Sequence, residues 1–236
     1  SVLMGADAPR ILSLGCGDGA VDLQLLEPLR KRKQRFHYIG VDFNPVDLER
    51  FRQRLSALDA SMKAAVILRC MKYDGSTSLG QRFDLIYMGY FLQSFDQVMP
   101  AIANALRHLA PGGRLVIIHQ QQRGIFHLRK RFQARLGNQQ FHSSDEIQAL
   151  LRGQGIPFSS HTIESYFDVS VMQTMSLDAL LLMSFCFCAD LSRLEKLEQE
   201  EIRNAFLAHA TAGTDGKLRI DEPIDAIVCR EQELRT

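Results

Sequence analysis

Apolar positions recur along the first half of the chain with two alternating periods. Residues 11–14 form a short apolar run that ends in Gly15-Cys16-Gly17-Asp18-Gly19. Val21, Leu25, Leu26 and Leu29 then follow at helical spacing. Residues 37–41 read as a second strand, closed by Asp42. Pro45 suits the first turn of the next helix, with Asn44 as its N-cap. Leu48, Phe51, Leu55 and Leu58 make that helix's inward stripe. Residues 64–70 and 83–88 read as strands, and 96–109 as a helix with Val98, Ile102, Ala105, Leu106 and Leu109 inward. Pro111-Gly112-Gly113 is expected to stop that helix. The most apolar strand follows at 115–118, as expected in the middle of a sheet covered on both faces.

Repeated strand–helix alternation of this kind predicts an α/β fold with a doubly wound, mostly parallel sheet. Beyond His119 the rhythm changes. A basic helix is predicted at 123–136, and a second at 144–152 with Ser144 as N-cap and Ile147, Leu150 and Leu151 inward. A strand is expected at 156–163, and helices at 177–187 and 191–209. Residues 217–220 and 224–229 are expected to close the sheet as a hairpin. The predicted organisation is therefore a core at 1–122, substrate-side helices with one returning strand at 123–215, and a terminal segment at 216–236 that completes the sheet.

Composition narrows the class. The 236 residues carry 28 Lys and Arg against 27 Asp and Glu, so no global charge steers the chain toward nucleic acid or an anionic membrane. Hydrophobic residues make up 46%, enough for a real core. Five cysteines without paired spacing argue against a disulfide-built secreted domain. No apolar run reaches the length of a membrane span, and no signal peptide opens the chain. A cytoplasmic protein is expected.

The glycine loop follows a strand and opens a helix. Its glycines let backbone approach a ligand, and the helix start offers N–H groups. The loop also fits the dinucleotide pattern G-x-G-x-x-A, so it is ambiguous alone. Three features separate the readings. Asp18 places a carboxylate in the turn, which would repel a pyrophosphate but suits a cationic cofactor. Asp74 follows the third strand, where a carboxylate can accept an adenine amino group. Pro111-Gly112-Gly113 before an apolar strand is a turn common in methyltransferases. Asp42 at its strand end can grip ribose hydroxyls in either reading.

From residue 11 to 118 the sequence resembles the class I S-adenosylmethionine-dependent methyltransferases. The resemblance implies a Rossmann-like methyltransferase sheet of seven strands, a helical substrate-side insertion, and S-adenosylmethionine as cofactor. It places Gly15, Gly17 and Gly19 under the methionine and ribose part of the donor and Asp42 on the ribose, with Cys16, Phe43 and Asp47 as further cofactor-binding candidates. Asp74 and Gly75 would lie near adenine, and Gly89 beside the cofactor. Val21-Asp22-Leu23-Gln24-Leu25-Leu26, Phe83-Asp84-Leu85-Ile86-Tyr87-Met88, Ser143-Ser144-Asp145-Glu146-Ile147, Tyr166-Phe167-Asp168-Val169-Ser170 and Gly216-Lys217 are similar to the histamine N-methyltransferase family. That family methylates the imidazole of a small amine under a lid.

The departures bear on the acceptor. The family's active-site glutamine falls at Tyr90 and its hairpin amide at Glu222. Two stacking tryptophans fall near Ile125 and Arg129, and this chain has no Trp. Only ten residues precede Ile11, where the family has a helical segment, so a lid from a partner chain or from an N-terminal segment is expected.

The candidate catalytic residues are Tyr90, Glu222 and His119. Glu222 could hold an ammonium or accept a proton, and is otherwise an exposed carboxylate on a turn. His119 ends the fifth strand, where parallel sheets bind ligands. Phe91, Phe126, Phe141 and Phe167 are candidates for an apolar acceptor pocket, or are core. Arg129 could meet an anionic group on a small acceptor. With Arg123, Lys130, Arg131 and Arg135 it otherwise forms a solvated basic face. Cys186-Phe187-Cys188 lacks a second pair and reads as buried structural cysteines, so no metal is expected. The expected activity is methyl transfer to a small molecule, at an amine or imidazole nitrogen. The alternatives are a natural-product O-methyltransferase and a non-catalytic, partner-binding member of the fold. A small-molecule acceptor is the expected partner, rather than nucleic acid or membrane.

Overall fold

A computed structural model describes residues 8–136 and 141–230. The ends of the expected first and last segments, 1–7 and 231–236, lie outside the described residues. The first half runs β1 (Arg10–Leu14), α1 (Ala20–Lys31), β2 (His37–Asp42), α2 (Pro45–Ser56), α3 (Ala60–Ala65), β3 (Val66–Cys70), β4 (Phe83–Gly89), α4 (Val98–Arg107) and β5 (Leu109–Gln120). The second half runs α5 (Ile125–Leu136), α6 (Ser144–Gly153), β6 (Phe158–Ile163), β7 (Tyr166–Asp168), α7 (Leu177–Phe187), α8 (Lys196–His209), β8 (Thr211–Ala212), β9 (Leu218–Asp221) and β10 (Ile224–Arg230).

Seven strands form one sheet in the order β3-β2-β1-β4-β5-β10-β6. The pairs β1–β2, β1–β4, β2–β3 and β4–β5 are parallel. The order reverses between β1 and β4, which is the switch point where open α/β sheets bind ligands. The chain divides into two compact units that do not follow the three consecutive segments expected from sequence. The first takes residues up to 118, 148–160 and 226 onward, and the second takes 119–147 and 161–225.

In the first unit, Ile11, Leu26, Leu29, Tyr38, Leu48, Phe51, Leu55 and Leu85 share one core. Asn44 does cap α2, its Oδ1 accepting the Val46 N–H at 3.0 Å. Along α1 the inward stripe is shifted from the predicted one. Val21 is 58% exposed and Asp22 is buried instead. The cause is Tyr38, whose hydroxyl donates to Asp22 Oδ1 at 2.7 Å inside the core. Residues 64 and 65 end α3 rather than opening β3. The expected stop at Pro111-Gly112-Gly113 is instead a register shift inside β5, and α4 already ends at Arg107. A Cβ at Gly113 would lie 2.8 Å from the carbonyl oxygens of Ala110 and Phe83, so the shift requires glycine there.

In the second unit, α5, α7 and α8 pack around Leu128, Phe132, Met183, Phe187, Ile202 and Phe206. β7, β9 and β8 form a separate three-stranded antiparallel sheet. The predicted hairpin therefore splits, with β9 in the small sheet and β10 in the large one. The helix expected over 191–209 breaks at Glu195, whose capping box with Glu198 starts α8 afresh. The cap of α6 is Ser143 rather than Ser144. Ser143 Oγ accepts the Glu146 N–H, and the Glu146 carboxylate accepts the Ser143 N–H. Ser144 instead donates to Asp225 at 2.7 Å. Leu150, expected inward on α6, is 40% exposed. Among the described residues, no helix is long and apolar enough to cross a membrane.

Candidate active site

The glycine loop sits at the carboxyl end of β1, and its three glycines have different reasons to be there. All are left-handed, with φ of +72°, +52° and +74° at Gly15, Gly17 and Gly19. A Cβ on Gly15 would meet the Phe91 ring at 2.6 Å, and one on Gly19 would meet the Phe51 ring at 2.3 Å. A Cβ on Gly17 would meet nothing within 4 Å. Gly15 and Gly19 are thus required by packing, while Gly17 presents bare backbone to open space. Its left-handed backbone accounts for glycine there, and the open side leaves room for a ligand.

Asp42 braces that loop from the end of β2. Its Oδ2 accepts the Gly17 N–H at 2.9 Å and its Oδ1 accepts the Asn44 N–H at 2.8 Å. The loop also hangs on β2 through the Gly15 and Cys16 N–H groups, both donating to the Val41 carbonyl. Phe43, directly after Asp42, is 70% exposed, an aromatic ring held outside the core beside the brace. Asp47 accepts from Asn44 Nδ2 at 2.6 Å and pairs with Arg50. Cys16 is buried, and burial together with the Asp22 and Asp42 charges pushes its thiol far up. Asp18 does not present a free charge to a cationic ligand, because Arg54 pairs with it at 2.5 Å.

The Asp74–Gly75 turn is fastened to α4. Asn104 Nδ2 donates to the carbonyls of Asp74 and Thr77, at 2.9 Å each. The Asp74 carboxylate accepts from the Ser76 N–H and from the Ser76 and Thr77 hydroxyls, which hold it below the usual carboxylate range. A Cβ on Gly75 would lie 2.7 Å from Pro100. Sequence reasoning passed over Asn104. Its signal was a polar residue among the inward positions Ala101, Ile102 and Ala105.

At the end of β4, Gly89 packs against the Tyr87 ring. Tyr90 is left-handed (φ 53°, ψ 15°) and 38% exposed. Such backbone in a bulky residue is strained, and strain of this kind collects at functional sites. Phe91 follows, its ring packed on Gly15 and in edge contact with Tyr73 and Phe95. Tyr90 is thereby tied to the glycine loop through its neighbour.

The other candidates belong to the second unit. Glu222 is not exposed on a turn. It is 3% exposed, and its Oε2 accepts the Ile125 N–H at 2.6 Å, capping α5. Burial pushes its carboxyl up to about 7, against the pull of that N–H and of Arg129. Arg129 is buried rather than solvated. It donates to the Cys186 carbonyl and to Gln120 Oε1 (2.8 Å), and lies over the Phe141 ring. Gln120, overlooked in the sequence, is 1% exposed and keeps its Nε2 without a partner. His119 is fully buried, with Nε2 at 2.9 Å from the His142 carbonyl. Phe126 and Phe141 are buried, and Phe167 packs with Phe185. Arg131 and Arg135 both pair with Glu201, which reduces the basic face expected there. Cys186 is buried as expected, but Cys188 is exposed.

An open glycine turn braced by a strand-end carboxylate, at a parallel sheet's switch point, is the arrangement of a nucleotide-type cofactor site. A family model described as the methyltransferase domain matches residues 3–165, and the chain belongs to that family. No curated protein sequence matches it. Solved structures with the same fold include a putative methyltransferase from Bacillus halodurans, at 12% identity over 96% of this chain and 94% of that one, with a TM-score of 0.61. The YcgJ protein from Bacillus subtilis is similar at 16% identity over 96% and 93%, also at 0.61. The N-methyltransferase NodS from Bradyrhizobium japonicum, crystallised with S-adenosyl-L-homocysteine, is similar at 16% identity over 98% and 82%, at 0.54. The chain thus carries a methyltransferase domain on the fold these structures share.

Proposed function

We propose that the transferred methyl goes to a nitrogen of a small molecule, an amine or an imidazole. The observation that carries this reading is Tyr90, a strained and half-exposed phenol tied to the donor loop through Phe91 and Gly15. Bound on that loop, S-adenosylmethionine supplies an electrophilic methyl on a sulfonium. The residues then have three tasks. Gly17 lets the donor approach the backbone, and Asp42 offers its carboxylate to the ribose hydroxyls. Tyr90 accepts a hydrogen bond from the acceptor's N–H, turning the nitrogen lone pair toward the methyl.

Nitrogen suits this equipment better than a hydroxyl. A neutral amine or imidazole already carries its nucleophilic lone pair, whereas a hydroxyl has to lose its proton to a base. His119, the histidine placed for that task by sequence, is buried and engaged with the His142 carbonyl. Glu222 is likewise buried and engaged, its Oε2 accepting the Ile125 N–H. The resemblance to histamine N-methyltransferases supports the same acceptor type, with Tyr90 and Glu222 in place of that family's amides.

The test is methyl transfer from isotopically labelled donor to parallel panels of amines, imidazoles and phenols, with products read by mass spectrometry. Label on nitrogen that falls at least tenfold in Tyr90→Phe supports the reading. Label on phenolic oxygen alone, or donor binding with no turnover on any acceptor, overturns it.

A further inference from the structure

The second unit holds a pocket of about 290 Å³ that none of the methyl-transfer residues lines. Arg123, His127, Glu164, His209, Thr211 and Asp221 are among its walls. The volume lies at the lower edge of small-ligand pockets and suits a molecule of amino-acid size.

Its charges are unused, whereas several other exposed ions of this unit find partners. Lys217 pairs with Asp168 at 2.8 Å, Arg219 with Asp215 at 2.6 Å and Arg193 with Asp190 at 3.0 Å. Among the described residues, the side chains of Arg123, Glu164 and Asp221 form no ion pair and no hydrogen bond, although one pocket gathers all three. Opposite charges that share a concavity without reaching each other leave space for a ligand carrying both signs.

The polar groups of the pocket sort by the part of the ligand they would meet. The first three amides of α5 are already engaged. The Ile125 N–H goes to Glu222, the Phe126 N–H to the Arg123 carbonyl and the His127 N–H to the Gly124 carbonyl. A carboxylate in this pocket therefore falls to the Arg123 guanidinium, which binds such groups in bidentate fashion. Glu164 and Asp221 supply two negative charges for ammonium groups. His209 donates from Nδ1 to the Ala205 carbonyl at 2.8 Å, which leaves Nε2 as a further acceptor. One cation set against two carboxylates matches a ligand with one carboxylate and two amines.

We propose that this pocket is a binding site for a dibasic amino acid of the lysine or ornithine type. The proposal rests on the second unit alone and does not depend on the identity of the methyl acceptor. The test is isothermal titration of the full chain, without methyl donor, against L-lysine, norleucine (second amine absent) and cadaverine (carboxylate absent). L-lysine should bind at submillimolar concentration, and each analogue at least tenfold more weakly. Arg123→Gln should weaken L-lysine at least tenfold and leave cadaverine unchanged, while Glu164→Gln and Asp221→Asn should weaken both. Absence of L-lysine binding at millimolar concentration, or equal binding of all three compounds, overturns the proposal. So does an Arg123→Gln protein that binds L-lysine like the unaltered chain. The three compounds on the unaltered chain decide the question even if a variant fails to fold.

Discussion

Replacing Gly17 by alanine separates a ligand-facing glycine from a packing glycine. The backbone at Gly17 has φ +52°, where an L side chain costs about 1–2 kcal/mol. Loss of glycine's freedom in the unfolded chain returns roughly 0.4–1 kcal/mol. The new methyl touches nothing within 4 Å, so no overlap adds to that balance. The net loss is about 1 kcal/mol, or roughly 2–4 °C in Tm for a chain of this size. Gly19→Ala has the same backbone cost and also drives its Cβ to 2.3 Å from the buried Phe51 ring. Overpacking of that kind adds about 1–3 kcal/mol, so Gly19→Ala should melt well below Gly17→Ala. Binding should show a different contrast. A methyl inserted where the donor lies on the loop costs about 1–3 kcal/mol by the same overpacking, roughly a 5- to 150-fold loss of affinity. Thermal melts and calorimetric titration with S-adenosylhomocysteine read the two effects separately. A folded Gly17→Ala protein with wild-type affinity would refute the placement of the donor. So would a Gly17→Ala protein as unstable as Gly19→Ala, since the glycine would then serve packing.

Asp42→Asn keeps the size of the brace but turns an N–H toward one of the two amides that the carboxylate now accepts, and donor affinity should fall tenfold or more by titration. Tyr38→Phe removes a side-chain donor to buried Asp22 and should cost about 1.5–3 kcal/mol in urea unfolding, the usual value of a bond to a charged group. Glu222 gives a stability profile with a definite sign. Its folded value of about 7 lies above the ordinary 4.5, so the folded state holds the proton more tightly. The resulting stabilisation is present below pH 4.5 and is lost as pH rises toward 7, by about 3 kcal/mol for a shift of this size. Urea midpoints between pH 5 and 8 should fall with pH, and Glu222→Gln should flatten that fall; an unchanged slope would exclude Glu222 as its source.

What the sequence revealed follows from how local each cause is. Asn44 and Pro45 announced α2, and the apolar run at 177–187 announced α7, because caps and apolar runs lie within a few residues. The loop glycines and Asp42 were legible because a strand end, a turn and a helix start are contiguous. The bond from Gly17 to Asp42 joins residues 25 apart, and that from Ile125 to Glu222 joins residues 97 apart. Pairing of this range set the outcomes that periodicity missed. β9 left its neighbour for β7, Asp22 turned inward to meet Tyr38, and Arg129 was drawn into the core by Gln120 and Cys186. The pocket of Arg123, Glu164, His209 and Asp221 is assembled from four separate stretches, none of which carries a motif.

Cys16 has a consequence for an enzyme that handles an alkylating agent. A thiolate is a strong nucleophile, and one placed in the loop that cradles a sulfonium methyl would be a competing acceptor. Burial and the neighbouring Asp22 and Asp42 charges keep this sulfur protonated. With S-adenosylmethionine on that loop, as proposed, Cys16 would offer no thiolate to compete with the acceptor.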